Sequence, residues 1–152
     1  MALLLASGVI SSVEYDHQVD FSRYKTWSWH EGGTPALSLV TDKAIRDAVE
    51  KGLAARGVSR VEAGATVFVV YHASRTTRIE AVTSKSASPA PPSGILYSQK
   101  GSLVVDLLDP ASGKVVWRGQ ASGVLRYGPK EIAAQVEAAI ADLLAGFPPA
   151  AP

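Results

Sequence analysis

Cysteine is absent from this 152-residue chain. No disulfide framework, thiolate metal site or cysteine nucleophile is therefore open to it. An excess of charge is missing too: 15 Lys and Arg against 14 Asp and Glu leave a formal net charge of +1. That balance provides no field for drawing in DNA, RNA or an anionic membrane, so nucleic acid is disfavoured as a partner. No apolar run reaches the roughly 20 residues that cross a bilayer. The chain also lacks a G-x-S-x-G elbow, a phosphate-cradling glycine loop and an H-E-x-x-H helix. Its three histidines, His17, His30 and His72, fall on separate elements without metal-ligand spacing. Among the carboxylates, Asp16, Asp20, Asp106 and Asp109 stand nearest to acid-base work, which needs two positioned groups with displaced pKa values. Asp109 before Pro110 reads better as a turn residue, and Asp20 as a cap at the start of a strand. The reading is a non-enzyme, with no catalytic, cofactor or metal residues.

What is present is enough for one core: 47% of residues are hydrophobic and 19% charged. The start, "MALLLASGVI", resembles the apolar end of a secretory signal without its positive beginning. A lipoprotein signal would place a cysteine after Leu5-Ala6-Ser7, where this chain has Gly8. Residues 1–8 are thus read as a signal or lipobox remnant or a disordered leader, and a lipid anchor, the one route to a membrane, lacks its cysteine.

Residues 9–17 and 21–29 read as strands, and between them Asp20 and Ser22 flank Phe21 in a polar turn. In "DFSRYKTWSW" a strand would put Phe21, Arg23, Lys25, Trp27 and Trp29 on one face, cations between aromatics. Residues 38–56 carry Ile45, Ala48, Val49, Gly52 and Leu53 at helical spacing, with Ser38 or Thr41 as cap and Gly57 as stop; Asp42, Lys43 and Arg46 fall on the solvated side. Residues 65–73, "ATVFVVYHA", are a strand apolar on both parities, running on through "SRTTRIEAV". A Ser/Pro-rich loop spans 83–95. "YSQKGSLVVDLLD" and "KVVWRGQASGVLRY" form a hairpin around "PASG", and the parity of Val115, Trp117, Gly119, Ala121, Gly123, Leu125 and Tyr127 faces the core. The small members leave room for a helix to come close. Pro129 opens a last helix and Gly146 ends it, before a tail over 148–152.

The expectation is a single α+β domain over 9–147: two layers, a mainly antiparallel sheet of about five strands, two helices on one face, order ββαβββα. Phe68, Val70, Val104 and Leu108 point away from the helices, so something must cover the second face: the Pro-rich loop, the N-terminal segment or another protein molecule.

"YDHQVDFSRYKTWSW", "KGLAARGV", "GSLVVDLLDPASGKVVWRGQASG" and the ending "LLAGFP" together resemble the bacterial envelope proteins grouped as domain of unknown function 4136. The resemblance runs from about Val13 to Pro148 in the same order. It implies a lipoprotein-like protein of the bacterial cell envelope, on the periplasmic side, with no assigned activity. The functional expectation is a binding or interaction module whose partner is an envelope protein or a second copy of itself through the second sheet face. The alternative is a small-ligand carrier or sensor with an aromatic site near Trp27, Trp29 and Trp117. The candidate ligand or partner surface comprises Arg23, Lys25, Trp27, Trp29, Trp117 and Arg118, because aromatic faces beside cations stack planar ligands.

Overall fold

The computed structural model describes residues 9–36, 38–81 and 95–152. The expected leader (1–8) and all of the expected loop but its last residue lie outside the described residues; residue 95 begins a strand. Strands β1 (Ile10–Tyr15) and β2 (Thr26–Trp29) precede helix α1 (Leu39–Ala54), and β3 (Ser59–Arg60), β4 (Val67–Ala81), β5 (Ile95–Leu108) and β6 (Val115–Val124) lead to helix α2 (Pro129–Leu144). The fold is α+β, with six strands in the order β1-β6-β5-β4-β2-β3. The run from β1 to β4 is antiparallel, whereas β2 pairs in parallel with both β4 and β3. The sheet is therefore mixed and one strand wider than expected, because the two-residue β3 carries no sequence signal of its own.

Residues 21–29 are not one strand. The Asp20 side chain accepts from the Ser22 amide at 3.0 Å and starts a 3-10 turn over Phe21–Arg23. Phe21 enters the core edge-on to Tyr15, Tyr24 and Phe147. The backbone is extended again from Tyr24 and the strand begins at Thr26, so the parity that grouped Arg23 with the tryptophans is broken.

Helix α1 starts as expected, with Ser38 Oγ accepting from the Thr41 amide at 3.5 Å, and Gly57 follows it at φ +78°. The helices pack together where α1 offers Gly52: a Cβ there would stand 2.4 Å from Leu144 Cδ1. Both lie over the sheet face formed by Val69, Tyr71, Leu107, Val105, Trp117 and Gly119, in register across β4, β5 and β6. Gly119 makes the expected room, since its Cβ would fall 2.7 Å from the Trp117 ring and 3.2 Å from Leu143 of α2. A register shift between Leu107 and Leu108 corrects the expected parity at the start of β6: Val116 is buried and Val115 exposed. At the other end Tyr127, past the end of β6, is exposed rather than core-facing.

On the second face, no helix covers the sheet among the described residues. The His30 ring stacks on Phe68 at 5.3 Å, and residues 30–34 run beside β4, with Gly33 so close that a Cβ would meet Tyr71 O at 2.2 Å. Val70 is buried beneath this strap, while Phe68, Val104 and Leu108 are half-buried.

Candidate functional site

The residues expected to form one surface are dispersed. Trp27 and Trp117 are core residues, buried to 0% and 1% exposure, so neither can present a ring to a ligand in this fold. Trp29 turns inward beside Trp27, ring centroids 5.1 Å apart at 84°, and reaches the edge of the core against Tyr71. Its outer face is taken by Arg46, whose guanidinium lies 4.8 Å from the ring. Arg46 was expected on a purely solvated helix side; only the pairing of β2 with β4 brings Trp29 and Tyr71 beneath it.

Arg23 and Lys25 are exposed. Arg23 bonds to Asp109, which also accepts from the Tyr24 hydroxyl at 2.7 Å and from the amides of Ala111 and Ser112 at 2.8 and 3.3 Å. These donors, Tyr24 first, hold the Asp109 carboxyl below its ordinary value against the opposing effect of burial. Asp109 thus pins the hairpin turn to the 3-10 segment, the structural role its position before Pro110 suggests. Arg118 lies on the open face and grips the buried Asp106 with two bonds, Nε to Oδ1 at 2.6 Å and Nη2 to Oδ2 at 2.8 Å. His72 Nε2 stands 3.9 Å from the same carboxylate. No cluster of three or more metal-type ligands occurs among the described residues.

Two features that the candidate residues do not include meet at one end of the molecule. The first is an apolar pocket between the sheet and the opening turns of both helices, about 100 Å³ in volume. Ala73, Gly101, Ala121 and Gly123 keep its floor low, and Ile45, Leu103, Ile132, Val136 and Ala139 form its walls. Leu125 folds over Gly101, where a Cβ would be 2.7 Å from Leu125 Cδ2. Arg75 is the one charged side chain of the lining among the described residues, and it is exposed.

The second feature begins at Arg75. The β4–β5 pair continues past Arg75↔Gly101 through Ile79↔Tyr97 to Ala81↔Ile95, whereas β6 stops pairing at Lys100↔Val124. Beyond that point the sheet is a two-stranded ribbon. Ile79 and Tyr97 face each other on it, 64% and 55% exposed. The outer edge of β5 is partly answered, by the Leu125 amide on Gln99 O at 2.7 Å and the Tyr127 hydroxyl on Tyr97 O at 3.4 Å. Among the described residues, the outer edge of β4 has its last neighbour where the Ala73 amide donates to Thr34 O at 2.9 Å. Alternation then directs the amides and carbonyls of Arg75, Thr77 and Ile79 outward. Sequence reading found the length of β4 but not this edge, because which strands flank it is a non-local property.

A family model described as Domain of unknown function (DUF4136) matches residues 11–149. No curated protein matches the chain. Among solved structures, the PelC dodecamer from Paraburkholderia phytofirmans aligns at 14% identity and a TM-score of 0.53, over 89% of this chain and 95% of that one. A PDZ domain protein from Parabacteroides distasonis aligns at 12% identity and a TM-score of 0.62, over 95% of this chain and 36% of the other, so this chain spans about a third of it. At such identities the likeness is one of fold.

Proposed function

Because the chain belongs to the DUF4136 family, which has no activity in its description, we propose that it is a non-enzymatic interaction module of the bacterial cell envelope, periplasmic side, that associates with copies of itself. The observation that carries this reading is the outer edge of β4 beyond Ala73, which no strand answers among the described residues, on a ribbon whose apolar pair Ile79 and Tyr97 is exposed. A lone two-stranded ribbon is marginal in water, and an edge of this kind recruits an extended strand through main-chain hydrogen bonds. A two-fold axis at Thr77 sets Arg75 against Ile79 of the second copy and Arg78 against Thr76, so no like charges oppose each other. The second sheet face is a weaker contact, because the strap and the Arg118–Asp106 fork already occupy much of it. The PelC of similar fold is a dodecamer; this makes assembly the first property to measure here.

The reading is non-enzymatic because Asp106 and Asp109, the two buried carboxylates among the described residues, are each committed to internal partners. Light scattering after size exclusion tests the association. The expected result is a mass that rises with concentration in the native chain and stays monomeric in Thr77→Pro, which removes an outward amide and leaves the β5 ladder its donors. A native chain that stays monomeric at every concentration would overturn the assembly reading.

A further inference from the structure

We propose that the pocket at the base of the ribbon binds the apolar tail of a short to medium alkanoate, with the carboxylate head on Arg75. This inference is independent of the assembly reading. The pocket walls are hydrocarbon, and its volume of about 100 Å³ is of the order of the ~150 Å³ apolar cavity that takes up benzene. It therefore admits a few carbons of a single chain and not the paired chains of a phospholipid. Of the polar residues in the lining, Gln135 accepts from the Arg126 amide at 3.0 Å and donates to Val124 O at 2.7 Å, and Ser38 caps α1. Ser74, Ser102 and Ser122 lie in register at the opposite parity to Ala73, Leu103 and Ala121, which directs their side chains to the other sheet face, and Thr41 adds one hydroxyl. The space left is mainly apolar and suits a hydrocarbon tail.

The rim decides the head group. Arg75 is the one charge in the lining, and it has no ion-pair partner among the described residues. The opening turns of α1 and α2 border the same pocket, although Asp42 and Glu131 in those turns offset their helix dipoles, so the favourable charge at the mouth is that of Arg75. An anion at the mouth meets this cation, and no side-chain carboxylate is in the lining among the described residues.

Titration calorimetry with alkanoates from butanoate to decanoate, and with octanol as the neutral counterpart, tests the proposal. Affinity is expected to rise about fourfold per added methylene until the pocket is full and then to level off. Octanoate is expected to bind about two- to fivefold more tightly than octanol, and Arg75→Gln to abolish that difference while leaving octanol binding unchanged. Ala139→Leu fills the space from the helix side and Ala73→Leu from the floor; each is expected to remove octanoate binding in a chain whose melting temperature shows it folded. Affinity independent of chain length, octanol binding as tightly as octanoate, or native-like binding in both folded leucine variants would overturn the proposal.

Discussion

At the scale of single residues, Asp109 shows how one carboxylate can make the fold sensitive to acid. The hydroxyl of Tyr24, and after it the amides of Ala111 and Ser112, bond to its charged form, so its folded pKa lies below the ordinary 3.8. A carboxyl that is a stronger acid when folded stabilises the fold at pH values above 3.8, and that contribution fades as the pH falls through 3.8 toward the folded value. Urea midpoints measured between about pH 6 and pH 2.5 are expected to fall in this window for the native chain. Asp109→Asn is expected to lower the midpoint near neutrality and to flatten the fall. A variant whose profile keeps the full native slope would show that other carboxylates govern acid unfolding. Trp27 illustrates a different constraint. Its indole N–H has no acceptor among the described residues although the ring is buried. Trp27→Ala is expected to cost about 3–5 kcal/mol in chemical denaturation through the cavity it leaves, whereas Trp27→Phe removes the unmatched donor with part of the bulk and should cost well under half of that.

At the scale of elements, two glycines set how closely the layers approach, and they predict different penalties. Gly52 meets only the flexible tip of Leu144, and alanine there regains helix propensity of about 1 kcal/mol. Gly119 lies beneath the rigid Trp117 ring with Leu143 pressing from α2, so the ring must leave its place to admit a methyl group. Thermal melts are expected to show Gly119→Ala losing clearly more stability than Gly52→Ala, and the opposite order would mean that the Trp117 ring can shift at little cost. These elements also show what the sequence could announce. The hairpin was legible because its signals are local: Pro110 starts the turn and Gly113 adopts φ +68°. Both helices were legible from their caps and stripes. The polar turn at Asp20, Phe21 and Ser22 was legible, but not its extent to Arg23, because the capping contact from Asp20 to Ser22 competes with strand propensity over only a few residues. The Val115–Val116 inversion was missed because a bulge is a property of two strands together. The pocket was hidden for a related reason: its floor of Ala73, Gly101, Ala121 and Gly123 comes from three strands and is defined by side chains that are missing, which periodicity does not register. Arg118 was named as a surface residue without its partner, since Asp106 becomes its neighbour only through the β5–β6 register.

At the scale of the whole molecule, stability is distributed unevenly along β4 and β5. From Val67 to Ala73, β4 is flanked by β2 or the Thr34 strap on one side and β5 on the other, under a core that includes Val69, Leu107 and Val105. From Arg75 outward it has β5 alone among the described residues. Hydrogen exchange reads this difference directly, because an amide between packed strands opens only with the core while one on a free edge exchanges without any unfolding. In dilute solution the amides of Val69, beside β2, and Val70, beside β5, are expected to be strongly protected, and those of Arg75, Thr77 and Ile79 to exchange near the rate of an unstructured chain. The even-numbered amides at Thr76 and Arg78 bond inward to β5 and should fall between the two groups. The alternation is the discriminating signal, since a ribbon that simply frayed would lose protection at even and odd positions alike. Raising the protein concentration is expected to protect Arg75, Thr77 and Ile79 selectively if copies pair along this edge, and to leave Val69 unchanged. The same experiment in Thr77→Pro should show no such gain at its neighbours. If the outward amides are already as protected in dilute solution as those of Val69, the edge is answered within a single chain and self-pairing has no free strand to use.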